Sequence, residues 1–269
     1  MSDMRNPMSD LRDEFNPRQL DVLAAVREAY SGAWSHLGEM LRLIWLPGVL
    51  YLALSLVGAL LADSGQFVLR IVIEFASLFL WPIIAVAWHR FILLGDAPAG
   101  TYQISFGQRE ARFLVVSFFL VLLLLPGFFI TTLTSQTQDL GPSASLIGFA
   151  GILLAFVGIY FLVRLLLLLP AVAIDEPINA RLILERTRGN FWRLVAICIL
   201  SSLPLVVAYW VIMSVALSLG IPLGIPMLLS AVLSIFFAIV NVAILSIAYR
   251  ELIGPPGAMA SDLDRPDTL

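Results

Sequence analysis

"LVAICILSSLPLVVAYWVIMSVALSLGIPLGIPMLLSAVLSIFFAIVNVAILSIAY", Leu194 to Tyr249, runs for 56 residues without one charged or histidine side chain. A helix crosses the hydrocarbon of a bilayer in roughly 20 residues. The stretch is too long for one span and long enough for two. "GIPLGIP", Gly220–Pro226, divides it, because proline cannot continue a helix and glycine accepts a tight turn. The sequence therefore predicts a helical hairpin in lipid, and the rest of the chain can be read outward from it.

Three further runs carry no charge: Leu43–Ala62, Phe113–Leu133 and Leu140–Val163. A fourth, about Phe67–Trp88, is interrupted by Arg70 and Glu74. The expectation is an all-α integral membrane protein with six transmembrane helices. Composition agrees: 60% of the chain is hydrophobic and 13% charged, against roughly half and a quarter in soluble domains. The first 18 residues mix acids with arginines around no apolar core, so they do not read as a cleavable leader.

Arginine placement sets the orientation. All 16 basic residues are arginine, and positive charge favours the inner side of a membrane. With the N-terminus inside, the outer turns are Asp63–Gln66, Thr131–Pro142 and Gly220–Pro226. Every arginine except Arg70 then falls on the inner side or at an inner helix end. The reading is N-in, C-in, with inner connectors at His89–Arg112 and Leu169–Arg193.

The spans read as three tandem units, about residues 19–95, 96–175 and 176–253, flanked by tails 1–18 and 254–269 expected to be disordered. Pro47, Pro126 and Pro204 each follow a leucine in the first helix of a pair, 79 and 78 residues apart. Fifteen residues before each stands a small residue (Gly32, Ala111 or Gly189), two positions ahead of Trp34, Phe113 or Phe191. The second helices end in Arg90, Arg164 and Arg250, and two run on alike as "HRFILLG" and "YRELIG". Each unit reads as an interfacial segment, a helix with proline, an outer turn and a helix ending in arginine. An even number of spans per unit makes the copies parallel rather than inverted.

In the first interfacial segment Val22, Leu23, Val26, Tyr30, Ala33, Trp34, Leu37, Met40 and Leu41 fall on one face. The spacing predicts an in-plane amphipathic helix, with a break at Gly32. In the third, Asp175-Glu176-Pro177 reads as a helix start, Gly189 as a helix stop and Asn190 as the next cap. Arg181, Arg186, Arg188 and Arg193 lie at headgroup depth beside Trp192, where arginine both fixes topology and attracts anionic lipid. Trp34, Trp45, Trp88 and Trp192 together suggest an aromatic belt.

Other functions lack their residues. The absence of lysine removes phosphate-loop and Schiff-base chemistry. His36 and His89 have no partner at metal-ligand spacing, Cys198 sits alone in an apolar run, and no nucleophile motif is present. No catalytic residue, metal, cofactor or nucleic-acid partner is expected. Arg70 and Glu74, four apart, can pair on one helix face. With Asn241 they form the intramembrane polar set, and Asn241 suits a hydrogen bond between helices. Gly148, Gly151, Ala155 and Gly158 share a face suited to close helix packing.

"LPAVAIDEPINARLILERTRGNFWRLVAICIL" (169–200), "AAVREAYSGAWSHLGEMLRLIWLP" (24–47) and "AYREL" (248–252) resemble a broad group of bacterial multi-pass proteins related to the membrane domain of glycerophosphoryl diester phosphodiesterases. The catalytic barrel that follows that domain has no counterpart in these 269 residues, so the resemblance implies a bacterial inner-membrane protein and carries no activity. The expected function is non-enzymatic: an arginine-lined inner surface that contacts anionic lipid, a membrane partner or a second copy of the chain in envelope organisation. The alternative is a small transporter or channel using Arg70, Glu74 and Asn241.

Overall fold

A computed structural model describes residues 19–61, 66–96, 106–136, 142–222 and 224–263. The expected tail 1–18, parts of all three outer turns and part of the inner connector His89–Arg112 lie outside them. The described residues form eleven helices: α1 Val22–Ser35, α2 Leu37–Leu61, α3 Phe67–Leu94, α4 Gln108–Leu122, α5 Leu125–Gln136, α6 Pro142–Leu165, α7 Leu168–Ala173, α8 Ala180–Arg186, α9 Phe191–Ser218, α10 Gly224–Leu252 and α11 Ala258–Leu263.

Four stretches are long and apolar enough to cross a membrane: Phe67–Leu94, Ser145–Ala173, Phe191–Ser218 and Gly224–Leu252. The bent pair Gln108–Leu122 and Leu125–Ser135 makes a fifth if it is one span. Within α2 the described apolar stretch, Trp45–Gly58, is shorter. The opening sequence behaves as expected: α9 and α10 form a hairpin whose turn contains Gly220 at φ +63°, a left-handed conformation glycine accepts without strain.

Pro47 and Pro204 lie inside continuous helices. Pro126 instead stands at the second position of α5, just past a 42° bend. Before it the backbone tightens, with Leu123 and Leu124 donating to the carbonyls three residues back, Leu120 and Val121. Proline has no N–H to return to Leu122 and its ring crowds that carbonyl, so the helix breaks there.

α2 packs on α3, α5 on α6 and α9 on α10. The α5–α6 contact is the closest, and the small-residue face of α6 makes it possible. A Cβ placed on Gly158 would collide with the Leu123 carbonyl oxygen, and one on Gly127 with the Ala155 backbone. One on Gly151 would sit 2.9 Å from Thr131 Oγ1. The facing hydroxyls donate within their own helix, Thr131 to the Gly127 carbonyl at 2.7 Å and Thr134 to that of Ile130 at 3.0 Å. The hydroxyls at this contact are therefore satisfied within their own helix.

The core lies at one end of the bundle. It gathers the last turns of α3 (Ile84, Trp88, His89) and of α10 (Ile244, Ala248, Tyr249), together with Phe113 of α4 and most of α7. Little of the four long apolar helices is covered by other parts of the protein, with 11 to 39% of their apolar stretches buried. That leaves apolar side chains such as Val68, Trp210 and Leu229 on the surface.

α1 lies across this core end. Asp21 caps it by accepting from Ala24 N at 3.1 Å, and it breaks at His36 rather than at the expected Gly32. Ala25, Ala29 and Ala33 are buried against α9 and α10, because small side chains let the helix approach closely. The expected apolar arc is divided. Val22, Val26 and Tyr30 are half-buried beside the alanines, while Leu23 and Trp34 remain exposed.

Two expectations are corrected. Trp88 is not in an interfacial belt; it is 2% exposed and stacked on Phe91, because the end of α3 is roofed by other helices. The segment expected as a disordered tail from 254 is folded as far as Leu263, including α11, and Met259 is fully buried. Residues 264–269 lie outside the described residues.

Candidate functional site

Each arginine that ends a second helix is tied to a segment of another hairpin. Arg90, at the end of α3, pairs with Asp96 and reaches Asp175 at 3.4 Å. Asp175 is also held by Arg109 of α4, whose Nε donates to both carboxylate oxygens at 3.0 and 2.9 Å. Arg164, at the end of α6, is 7% exposed. It donates to Thr187 Oγ1 at 3.0 Å, to the Tyr160 hydroxyl at 2.6 Å and to the Leu184 carbonyl. Arg250, at the end of α10, pairs with Glu28 of α1 at 2.6 Å. The third hairpin is thereby tied back to the first.

Asp175-Glu176-Pro177 is not a helix start. The helix begins at Ala180, capped by Asn179, which accepts from Leu182 N at 3.0 Å. Asp175 takes a left-handed backbone, φ +62°, in the turn after α7, and its carboxylate is spent on Arg109 and Arg90. The Arg109 hydrogen bond holds that carboxyl below its ordinary range, outweighing partial burial, with the charges of Arg109, Arg90 and Arg112 adding to it. Glu176 accepts from Gly257 N at 2.6 Å and Met259 N at 3.2 Å, fastening α11. The acids expected to begin one helix instead pin two distant segments.

The four arginines expected at headgroup depth divide. Arg193 is engaged: it donates to the Leu20 carbonyl at 3.0 Å and to Gln19 Oε1 at 2.7 Å. Arg181 forms a surface pair with Glu185 at 3.0 Å. Arg186 and Arg188 are exposed on either side of buried Thr187. Trp192 is 69% exposed beside Phe191, and Ile178 is exposed as well. The mixed pattern of α8 has a simple cause: Ile183 alone points fully into the core, so the other apolar positions need not share its face. Gly189 turns the chain at φ +79°. Asn190 occupies the cap position of α9 but turns its side chain away to accept from Leu20 N at 3.1 Å.

The intramembrane polar residues fall into two separate places. Arg70 and Glu74 pair at 2.7 Å in the first turns of α3, both about half exposed. Asn241, on α10, accepts from Ser201 of α9 at 2.8 Å and donates to the Phe237 carbonyl at 2.9 Å. Among the described residues no hydrogen bond or ion pair joins the two places. Sequence reasoning missed a third, at His89. Its ring is fully buried, with Nδ1 2.7 Å from Ser246 Oγ of α10 and the ring 5.9 Å from Phe113 of α4. Three hairpins meet at this imidazole. The single usable signal was a histidine one turn from the end of an apolar run; its partner, 157 residues on, had none. Among the described residues no three His, Cys, Asp or Glu side chains are grouped to hold a metal.

Two grooves open between helices on the apolar surface of the bundle. One, of about 410 Å³, lies between α9 and α10 around Val206, Tyr209 and Ala231. The other, about 360 Å³, separates α6 (Ile159, Val163) from α9 (Val195, Ile199, Leu203, Val206). Its wall offers no polar surface, since Ser202 turns its hydroxyl to the Cys198 carbonyl at 2.8 Å. Comparison with protein families, with curated proteins and with solved structures found no match.

Proposed function

We propose that the chain is a non-enzymatic, six-span membrane protein of three parallel hairpin units. In this reading it is related to the phosphodiesterase membrane domains it resembles and sits in a bacterial inner membrane with the arginine end inside. Through that end it contacts anionic lipid or a membrane partner. The observation that carries the reading is the grouping of exposed Arg186, Arg188 and Trp192 where α8 turns into α9. Basic and aromatic side chains together suit a headgroup boundary, and each arginine near anionic lipid contributes about 1 kcal/mol. The alternative, transport along a path lined by Arg70, Glu74 and Asn241, has less support. Each of those polar groups already has a partner, and they occupy separate places.

The test is lipid analysis of protein extracted gently from its own membrane, beside a variant with Arg181, Arg186, Arg188 and Arg193 all changed to Gln and beside Glu74→Gln. Selective retention of anionic lipid, lost in the arginine variant and kept in Glu74→Gln, supports the proposal. Unselective lipid in all three proteins, with transport activity that disappears in Glu74→Gln, would favour the alternative.

A further inference from the structure

We infer that the groove between α6 and α9 is the acyl-chain site of one bound phospholipid with a net negative headgroup, whose phosphate is held at the groove mouth by Arg186 and Arg188. The inference rests on the lipid-contact reading and adds to it a place and a stoichiometry.

Three observations lead to it. The groove wall presents no polar surface, so water would find no hydrogen-bonding partner there. In a bilayer, hydrocarbon fills such a space. The second observation is that the groove continues into an aromatic cluster. On α9, Val195, Ile199, Leu203 and Val206 follow helical spacing from Trp192. On α6, Ile159 and Val163 stand beside Phe156 and Tyr160. Phe191 bridges the two walls, 4.9 Å from Tyr160 and 6.4 Å from Phe156 by ring centroids.

The third observation brings the charge to the mouth. Arg164 follows Val163 directly and holds Thr187 at 3.0 Å, and through it the 184–188 segment, against the end of α6. Arg186 and Arg188 flank Thr187 and are exposed. Arg164 is itself committed to protein acceptors, and the exposed flanking pair presents positive charge at this end of the groove. Apolar groove, aromatic collar and cationic rim therefore follow one another in the order of chain, glycerol and phosphate in a phospholipid.

The experiment places the full-length protein in nanodiscs of equal phosphatidylglycerol and phosphatidylcholine, then counts retained lipid by native mass spectrometry. The wild type is expected to keep one phosphatidylglycerol in preference to phosphatidylcholine. Ile199→Trp, filling the groove at a position 59% exposed, should lose that lipid. Arg186→Gln with Arg188→Gln should keep a lipid but lose about thirtyfold in preference for the anionic one. If Ile199→Trp does not fold, Leu203→Trp, further along the same groove and 51% exposed, carries the test. Retention unchanged in the groove variants but lost in the arginine pair would overturn the groove and leave the surface reading standing. Retention unchanged in all of them would overturn both.

Discussion

At the arginine end of the bundle, Trp88, Phe113 and Tyr249 are buried together and Arg90, Arg164 and Arg250 each grip another hairpin. At the opposite end, Val68, Trp210 and Leu229 are exposed, and Arg70 pairs with Glu74 of its own helix. The difference follows from the solvent. In lipid, burying one leucine against another gains little over burying it against acyl chains, so helices associate by close packing and polar contacts. This protein concentrates both at one end. The other end requires only apolar side chains and satisfied backbone, which α3, α9 and α10 supply alone.

The α5–α6 hairpin is the exception, packed closely along its length by glycine, and it is where the contrast breaks most easily. Gly158→Leu drives a side chain into the Leu123 carbonyl. It is expected to cost on the order of 3 kcal/mol or more, read as a large fall in Tm and loss of a monodisperse peak. Next comes Arg164→Gln, which removes charged hydrogen bonds to Thr187 and Tyr160 from a buried position. About 2–3 kcal/mol should be lost, with exchange protection falling first in 180–190. Ser201→Ala removes one contact between helices, to Asn241. It should cost about 0.6 kcal/mol, and no more than about 1.7, in unfolding from mixed micelles.

The smallest expected effect is acid-dependent. The carboxyl of Asp175 is held below its ordinary range, first by its hydrogen bond from Arg109. Its contribution to stability is therefore full above the unfolded value of about 3.9 and is lost as pH falls through the lower folded value. Tm measured against pH should show a shallow acid decline that Asp175→Asn removes. An equal decline in the variant would mean that this pair does not hold the connector.

Much of this architecture was legible because lipid imposes a simple rule on sequence. The uncharged run Leu194–Tyr249 with its GIPLGIP divider could fold only as α9 and α10, and the small-residue row of α6 could serve only close packing. The junctions were harder. Asp175 and Glu176 carry the local signature of a helix start, yet partners at Arg109, Gly257 and Met259, remote in sequence, claimed their carboxylates. Trp88 resembled a belt residue because its own helix gives no sign of what covers it. At the candidate surface, Trp192 and the arginines were visible as a cluster. That Arg193 is committed to Gln19 and Leu20, while Arg186 and Arg188 stand exposed, depended on a contact spanning more than 170 residues.

Inner-leaflet contact through the arginines requires the packed, arginine-bearing end to lie at the inner face. The most direct measurement is side-specific maleimide labelling in sealed cells, using Cys198→Ala as background and single cysteines at Arg188 and Leu219. The account predicts that an impermeant reagent labels Leu219→Cys from outside and reaches Arg188→Cys only after the membrane is opened. Labelling of Arg188→Cys in intact cells, with Leu219→Cys protected, would contradict it.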